Sequence, residues 1–192
     1  MKKDLRVVKT KNNLQETLVQ LLTEKSLDKI SISELCKAAN INRGTFYLHY
    51  KDIPGLFDEL FDEVTEDLKK AYYEPFLLTA NRIHKLTPNM VRIFHHVLKY
   101  PTFYKVVFDR KTPMMYFYRL YEVIYDYIQE TSRIAHDDDI KVMYHASHQT
   151  NAIVGMVIRW VHRNYQETPE ALNVMLLEFS KAYFEGKEKG DE

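Results

Sequence analysis

Cysteine, glycine and proline are all scarce in this chain of 192 residues, which holds one, five and six of them. The single cysteine, Cys36, excludes an internal disulfide and fits a reducing cytoplasm, where we expect it to be a buried packing residue. Few glycines and prolines leave long stretches without turn signals, which favours an all-α fold over a turn-rich β fold. No apolar run approaches the about 20 residues of a membrane span, and the charged start lacks a signal peptide's apolar core. We therefore expect a cytoplasmic protein.

The net charge of zero hides an uneven distribution of charged residues. Residues 1–51 hold ten Lys and Arg against five Asp and Glu, whereas residues 52–192 hold 17 against 22. A basic segment beside an acidic one is typical of a chain with a module that faces nucleic acid. Chance clustering is the alternative, so the charge pattern alone is weak support.

Apolar residues make up 45% of the chain and recur at helical spacing along most of it. Asp52 is predicted to cap the fourth helix, and Pro75 to end or kink it. Thr87 is predicted to cap a helix with Pro88 in its first position. We predict helices over residues 9–24, 31–39, 43–49, 53–75, 87–100, 101–109, 113–132, 139–164 and 169–184.

Capping signals delimit two short helices between residues 31 and 50. Ser31 with Glu34 matches a capping box, in which a hydroxyl and a carboxylate each accept an orphan backbone N–H. Asn40 is predicted at a positive φ, which ends a helix, and Asn42 is predicted to cap the next one. Two short helices joined by a tight turn indicate a helix-turn-helix, whose second helix can enter the major groove, about 12 Å wide.

The second of these helices carries side chains suited to DNA. Arg43 stands at its N-terminal end, where a guanidinium can pair with guanine O6 and N7. Gly44 lets the duplex approach closely, whereas Phe46 is expected in the core. The predicted DNA-binding residues are Ser31, Ser33, Asn42, Arg43, Gly44, Thr45, Tyr47, Leu48, His49, Tyr50 and Lys51.

Residues 38–51 read Ala-Ala-Asn-Ile-Asn-Arg-Gly-Thr-Phe-Tyr-Leu-His-Tyr-Lys, and this stretch resembles the N-terminal fingerprint of the TetR family of transcription regulators. Two positions depart from the family pattern. Asn40 replaces the usual glycine, which a positive φ tolerates, and Ile53 replaces a lysine that commonly meets a phosphate. We expect Lys51 or a basic N-terminal arm to supply that contact instead; the arm consists of Lys2, Lys3, Arg6, Lys9 and Lys11.

The resemblance implies a homodimer held by the last two helices. Ser147, Asn151 and Gly155 also form a stripe of small residues spaced four apart, which would let helices approach closely, although burial in the chain's own core is the alternative. A helix-turn-helix needs two copies to span two half-sites. The predicted interface residues are Ser147, Asn151, Gly155, Ile158, Leu172, Leu176 and Phe179.

The resemblance further implies a small-molecule pocket in the C-terminal region. The aromatic-rich stretch 116–127 suits an amphipathic pocket, although core packing is the default for such a stripe. A histidine pair at i and i+3 could also ligate a metal, but it more often lines a surface or a pocket. We predict neither a metal nor a cofactor. The predicted pocket residues are Phe103, Tyr104, Phe117, Tyr121, Tyr125, His145 and His148.

The expected architecture is a three-helix helix-turn-helix domain, 1–52, joined by a long fourth helix to an effector-binding and dimerisation domain, 53–192. We expect a nucleoid-associated homodimer that binds operator DNA and represses transcription until a small-molecule effector releases it. Activation, or architectural DNA binding without an effector, is the alternative. A helical enzyme is a third class, but no phosphate-binding glycine loop, nucleophile elbow or zinc-protease motif supports it.

Overall fold

The computed structural model describes residues 5–79, 85–134 and 138–185, with side chains to residue 180. Within these ranges the chain is all-α, as predicted, with nine α-helices, two 3-10 helices and no strand. The α-helices are α1 (Leu5–Leu22), α2 (Ile32–Ala38), α3 (Arg43–Tyr47), α4 (Ile53–Leu78), α5 (Ile93–Lys99), α6 (Pro101–Val107), α7 (Met114–Ser132), α8 (Asp139–His162) and α9 (Pro169–Glu185). The 3-10 helices lie at Leu27–Lys29 and Pro88–Met90.

Contacts within the chain divide it into two units. The first comprises the residues up to 65 together with 102–117, and the second comprises 66–101 and the residues from 118 onward. The predicted functional boundary at residue 52 stays a prediction.

The first unit has an apolar core that the helical periodicity indicated. Phe57 of α4 contacts the ring of Phe103 of α6 at a centroid distance of 6.1 Å and that of Tyr116 of α7 at 4.8 Å. Burial of each such ring stabilises the unit by about 1.5–3 kcal/mol. Cys36 is 3% exposed, which confirms its packing role, and burial raises the pKa of its thiol. The fully buried side chains include Leu14, Leu18, Leu35, Phe46, Leu56, Phe57 and Phe61.

The second unit packs around an indole on α8. Trp160 is 1% exposed, and its Nε1 donates to the Glu167 carbonyl at 3.0 Å. Its ring meets Phe94 of α5 edge to face, with centroids 5.8 Å apart, and Tyr165 in the same way at 5.2 Å. A buried tryptophan that is hydrogen-bonded and flanked by two rings makes this part of the core specific as well as apolar.

Helix starts follow the predicted caps where the capping bond forms. The Asp52 carboxylate accepts the N–H of Gly55 at 2.8 Å, and α4 begins at the next residue after Asp52. Thr87 makes no such bond, and its hydroxyl donates to the Asn89 carboxamide oxygen. Only a short 3-10 helix follows, and Val91 is extended (ψ 129°), so the prediction of one helix over 87–100 is wrong.

The start of α1 changes the description of the basic N-terminal arm. The helix begins at Leu5, earlier than predicted, so Arg6 and Lys9 are helical residues. Lys2 and Lys3 lie outside the described residues.

Pro75 neither ends nor breaks α4, which continues to Leu78. The backbone N–H and the hydroxyl of Thr79 both donate to the Pro75 carbonyl, at 3.2 and 3.0 Å. In the part of the chain that the structure describes, no helix combines the length and the apolar character needed to cross a membrane.

Candidate nucleic-acid interface

The start of α2 is fixed by a side-chain cap. Ser31 Oγ accepts the N–H of Glu34 at 3.2 Å, which confirms Ser31 as the predicted cap. Lys25 Nζ donates to the Glu34 carboxylate at 2.5 Å. This bond, together with one from the Ser31 backbone N–H, holds the pKa of Glu34 below its usual value.

The turn between α2 and α3 has the backbone that the sequence predicted. Asn40 has a φ of 54°. Its N–H donates to the Lys37 carbonyl at 3.2 Å, and the N–H of Ile41 donates to the Cys36 carbonyl at 2.9 Å. These two bonds form a Schellman motif, which satisfies the last carbonyls of α2 and redirects the chain.

The first turn of α3 leaves its backbone exposed. The Asn42 carboxamide oxygen accepts the N–H of Gly44 at 2.8 Å, so the predicted cap is confirmed. A Cβ added at Gly44 would meet the Asn42 side chain at 3.5 Å, which is an ordinary contact. Folding therefore does not require glycine here, and a side chain at this position would project from the exposed surface of α3.

α3 is anchored by one ring and exposes its other large side chains. Phe46 is fully buried, whereas Tyr47 and Leu48 are 55% and 80% exposed. Thr45 and His49 are half-buried. The predicted DNA-binding residues that are exposed are Ser31, Ser33, Asn42, Arg43, Gly44, Tyr47, Leu48 and Lys51.

Tyr50 does not belong to this surface, contrary to the prediction. Its side chain is 6% exposed, and its ring lies against Phe46 with centroids 5.8 Å apart. The hydroxyl is buried without a hydrogen bond of ordinary geometry. Burial first, and then the charges of Glu59 and Glu63, raise the pKa of Tyr50. A phenol enclosed in this way cannot reach DNA.

Lys11, which was predicted as a possible phosphate contact, is instead paired with a carboxylate of the same chain. Its Nζ donates to both carboxylate oxygens of Glu59, at 2.7 and 3.0 Å, so its charge is paired within the chain. Ile53, which replaces the family lysine, is 5% exposed and belongs to the core at the start of α4. Lys51 is exposed and remains the candidate for a phosphate contact near this point.

The seven predicted pocket residues are distributed over both units. Phe103 and Tyr104 are each 2% exposed, so core packing accounts for them. The phenol of Tyr121 accepts a hydrogen bond from Asn151 at 3.1 Å. Tyr125, likewise, accepts one from Gln129 at 3.0 Å. Phe103, Tyr104 and Phe117 belong to the first unit, whereas Tyr121, Tyr125, His145 and His148 belong to the second.

A groove of about 520 Å³ lies between α8 and α9. It combines two predicted pocket histidines with two predicted interface residues, and its lining consists of Tyr144, His145, His148, Gln149, Ala152, Met156, Leu176, Phe179 and Ser180. Ser132 Oγ bonds the Ile128 carbonyl at 2.7 Å and His145 Nδ1 at 2.8 Å. Because a carbonyl only accepts, the serine proton goes to Ile128 and the His145 Nδ1–H donates to Ser132.

Among the described residues, no group of three or more His, Cys, Asp and Glu is placed to hold a metal.

The predicted interface residues divide between the surface and the core. Phe179 is 64% exposed, whereas Leu172 and Leu176 are 6% and 8% exposed. These two leucines are therefore buried within the chain itself, which was the alternative to an interface role. A Cβ added at Gly155 would meet nothing within 4 Å, which leaves an open position on α8. Ser147 and Ile158 are half-buried and Asn151 is exposed.

Two family models match the chain. Residues 16–60 match the one described as bacterial regulatory proteins, tetR family, and residues 84–182 match the one described as a transcriptional regulator C-terminal region. YxbF, an uncharacterized HTH-type transcriptional regulator of Bacillus subtilis (strain 168), is 23% identical over 169 residues, which is 83% of this chain and 42% of the relative. AcrR of Shigella flexneri, an HTH-type transcriptional regulator, is 34% identical over 61 residues, 28% of each chain. The chain thus spans less than half the length of these curated relatives.

Solved structures share the fold over most of the chain. A transcriptional regulator of the TerR/AcrR family from Aquifex aeolicus VF5 has a TM-score of 0.68 at 16% identity, covering 91% of this chain and 99% of that one. The dihydroxyacetone kinase operon activator DhaS has a TM-score of 0.63 at 15% identity, covering 91% and 95%. The all-α fold and its capped α2–turn–α3 segment place the chain in the class of helix-turn-helix proteins. With both family models matched, the chain belongs to the TetR family of transcriptional regulators.

Proposed function

We propose that α3 reads the bases of an operator and that the chain acts as a homodimeric repressor released by a small-molecule effector. The observation that carries the DNA-reading role is the exposed surface of α3. It presents Arg43 at the N-terminal end of the helix, a glycine that folding does not require, and Leu48 at 80% exposure. An apolar side chain of this exposure can contact a thymine methyl group in the major groove.

The dimer is proposed to form through α8 and α9. Tyr144 and Phe179 line the α8–α9 groove and are 67% and 64% exposed in the single chain. Exposed aromatic side chains around an apolar groove are typical of a surface that a partner covers. The open position at Gly155 allows close approach of a second helix. A two-fold partner would also supply the second α3 for the other half-site.

Repression with release by an effector is the form of regulation that we propose. A ligand can shift DNA affinity only by the difference between its affinities for the DNA-binding and the released states. Activation is the second candidate, since a protein of similar fold is named an operon activator, whereas NalD, also of similar fold, is named a secondary repressor. In either case the site of action is the chromosome, in the cytoplasm.

Arg43→Ala tests the reading role on a duplex that the wild-type chain selects from a random library. We expect the variant to lose about 1–3 kcal/mol of binding free energy on this duplex and to lose discrimination between bases at one position only. Lys51→Ala is the control, because a phosphate contact weakens binding to all sequences and lowers the salt dependence. An equal loss for Arg43→Ala on every sequence would contradict base reading, and binding without salt dependence would contradict the DNA interface.

Effector release is tested separately with thermal melts against a metabolite panel, because a ligand of the folded state raises its apparent stability. A compound that stabilises the chain is then titrated against the complex with the selected duplex. Release of the duplex supports the proposal. Stabilisation without any change in DNA affinity supports the architectural alternative.

A further inference from the structure

Three side chains from separate segments of the first unit meet next to the C-terminal end of α3. They are Lys11 of α1, Glu59 of α4 and Tyr50, which follows α3 by three residues. We refer to them as the Lys11–Glu59–Tyr50 cluster. None of the three is on the exposed reading surface, yet together they connect the end of α3 with two neighbouring helices.

The charge pair in this cluster has a defined geometry. Lys11 Nζ lies 2.7 and 3.0 Å from the two oxygens of Glu59, and the two side chains are 31% and 30% exposed. Lys11 Nζ also lies 5.2 Å from the centroid of the Tyr50 ring, within the range of a cation–π contact. One ammonium group therefore holds both the carboxylate of α4 and the ring beside α3.

Tyr50 transmits this contact to the recognition helix. Its backbone N–H donates to the Phe46 carbonyl at 3.0 Å, and its ring packs on that of Phe46, the fully buried anchor of α3. Its hydroxyl is enclosed near Glu59 and Glu63. Without the Lys11 cation, the Glu59 carboxylate would lie near this buried hydroxyl with no compensating charge.

We propose that Lys11, Glu59 and Tyr50 are positioning residues for DNA reading, which hold the end of α3 at the angle that its exposed side chains need. The inference rests on the proposed role of α3 in reading bases. Small errors of position weaken several base contacts at once, because each requires hydrogen-bond geometry. Specific binding therefore depends on the cluster more strongly than non-specific binding does.

The chain offers a matched control in the same unit. Lys25 and Glu34 form a second Lys–Glu pair, at 2.5 Å and with side chains 32% and 34% exposed. This pair joins the segment after α1 to α2 and does not involve Tyr50. The two ion pairs themselves should contribute similar stability, since their residue types match and their exposures are similar. Only loss of the first pair should disturb the end of α3.

The test uses the full chain with Lys11→Met, Glu59→Gln, Lys11→Arg and the control Lys25→Met. The probes are the duplex that the wild type selects from a random library and poly(dI-dC) as non-specific DNA. We expect Lys11→Met and Glu59→Gln to lower the ratio of specific to non-specific affinity by about fivefold. Lys25→Met should leave the ratio of specific to non-specific affinity unchanged. Lys11→Arg should keep that ratio close to the wild-type value, because arginine retains the positive charge and the ring contact. Thermal melts establish that each variant is folded.

Two results would overturn the inference. If Lys11→Met and Lys25→Met change the ratio equally, or neither changes it, the cluster has no particular role in reading. If Lys11→Met lowers the salt dependence while Glu59→Gln strengthens binding, Lys11 is a phosphate contact that Glu59 masks. Failure of the wild type to select any duplex would instead refute the proposed function, so the two failures are distinguishable.

Discussion

Asn40 occupies the left-handed region of backbone conformation, with a φ of 54°, at the turn that sets the direction of α3. For an L-residue with a Cβ this conformation costs about 1–2 kcal/mol, and asparagine tolerates it better than most. We expect Asn40→Ala to carry that strain. Asn40→Gly removes it but increases the entropy of the unfolded chain, a cost of about 0.4–1 kcal/mol. Asn40→Ala should therefore be less stable than Asn40→Gly by about 1 kcal/mol, with the wild type close to the glycine variant.

Urea denaturation measures this difference as a shift in midpoint at constant slope. The end of α8 supplies a matched control, because Asn164 also has a φ of 54°. There the N–H groups of Asn164 and Tyr165 donate to the carbonyls of Val161 and Trp160 at 3.0 Å each, the same Schellman pattern. Asn164→Ala should lose similar stability without a specific loss of DNA affinity. Equal stability of Asn40→Ala and Asn40→Gly would refute the strain argument.

Three further predictions concern other parts of the chain. Tyr50→Phe should leave stability unchanged or raise it by about 1 kcal/mol in thermal melts, because it removes a buried hydroxyl that lacks a hydrogen bond of ordinary geometry; a clear loss would show that the hydroxyl is bonded. Phe179→Ser should shift the chain toward monomer in analytical ultracentrifugation, whereas Leu98→Ser, at a side chain 44% exposed on α5, should not; equal behaviour of the two would contradict the α8–α9 dimer. The pKa of Asp67 is lowered first by its hydrogen bond from Lys99, so this carboxylate stabilises the fold above its unfolded pKa of about 3.9, and the contribution disappears as pH falls through the lowered value. Asp67→Asn should therefore flatten the loss of stability in acid, and an unchanged acid profile would exclude a role for this pair.

Helix ends show which structural features depend on local sequence. Ser31, Asn42 and Asp52 each cap a helix as predicted, because a cap needs only a side-chain oxygen and a backbone N–H two or three residues away. Thr87 has the same type of side chain, but its hydroxyl pairs with Asn89 and the predicted long helix is interrupted. Residue type alone does not decide whether a threonine oxygen is oriented toward the backbone N–H groups that follow it.

The candidate pocket shows the limit of an aromatic pattern. Tyr104 and Tyr121 belong to the same predicted set, yet Tyr104 is buried in the core of the first unit and Tyr121 accepts a hydrogen bond from Asn151 in the second. Helical periodicity tells which side chains share a face, but it does not tell which helix covers that face. The predicted pocket residues therefore fall in both units, some of them in a core and others partly exposed.

What the sequence by itself determined is the family, the all-α class and the capped turn before α3, because caps, a left-handed asparagine and apolar periodicity act over a few residues. Only the tertiary structure decided that Lys11 is ion-paired and that Tyr50 is buried. Both have side chains suited to a DNA surface, but Lys11 pairs with Glu59, 48 residues away along the chain, and Tyr50 is enclosed beside them. Burial and ion pairing depend on which distant segments meet, so the exposed reading surface could be separated from its support only in the folded chain.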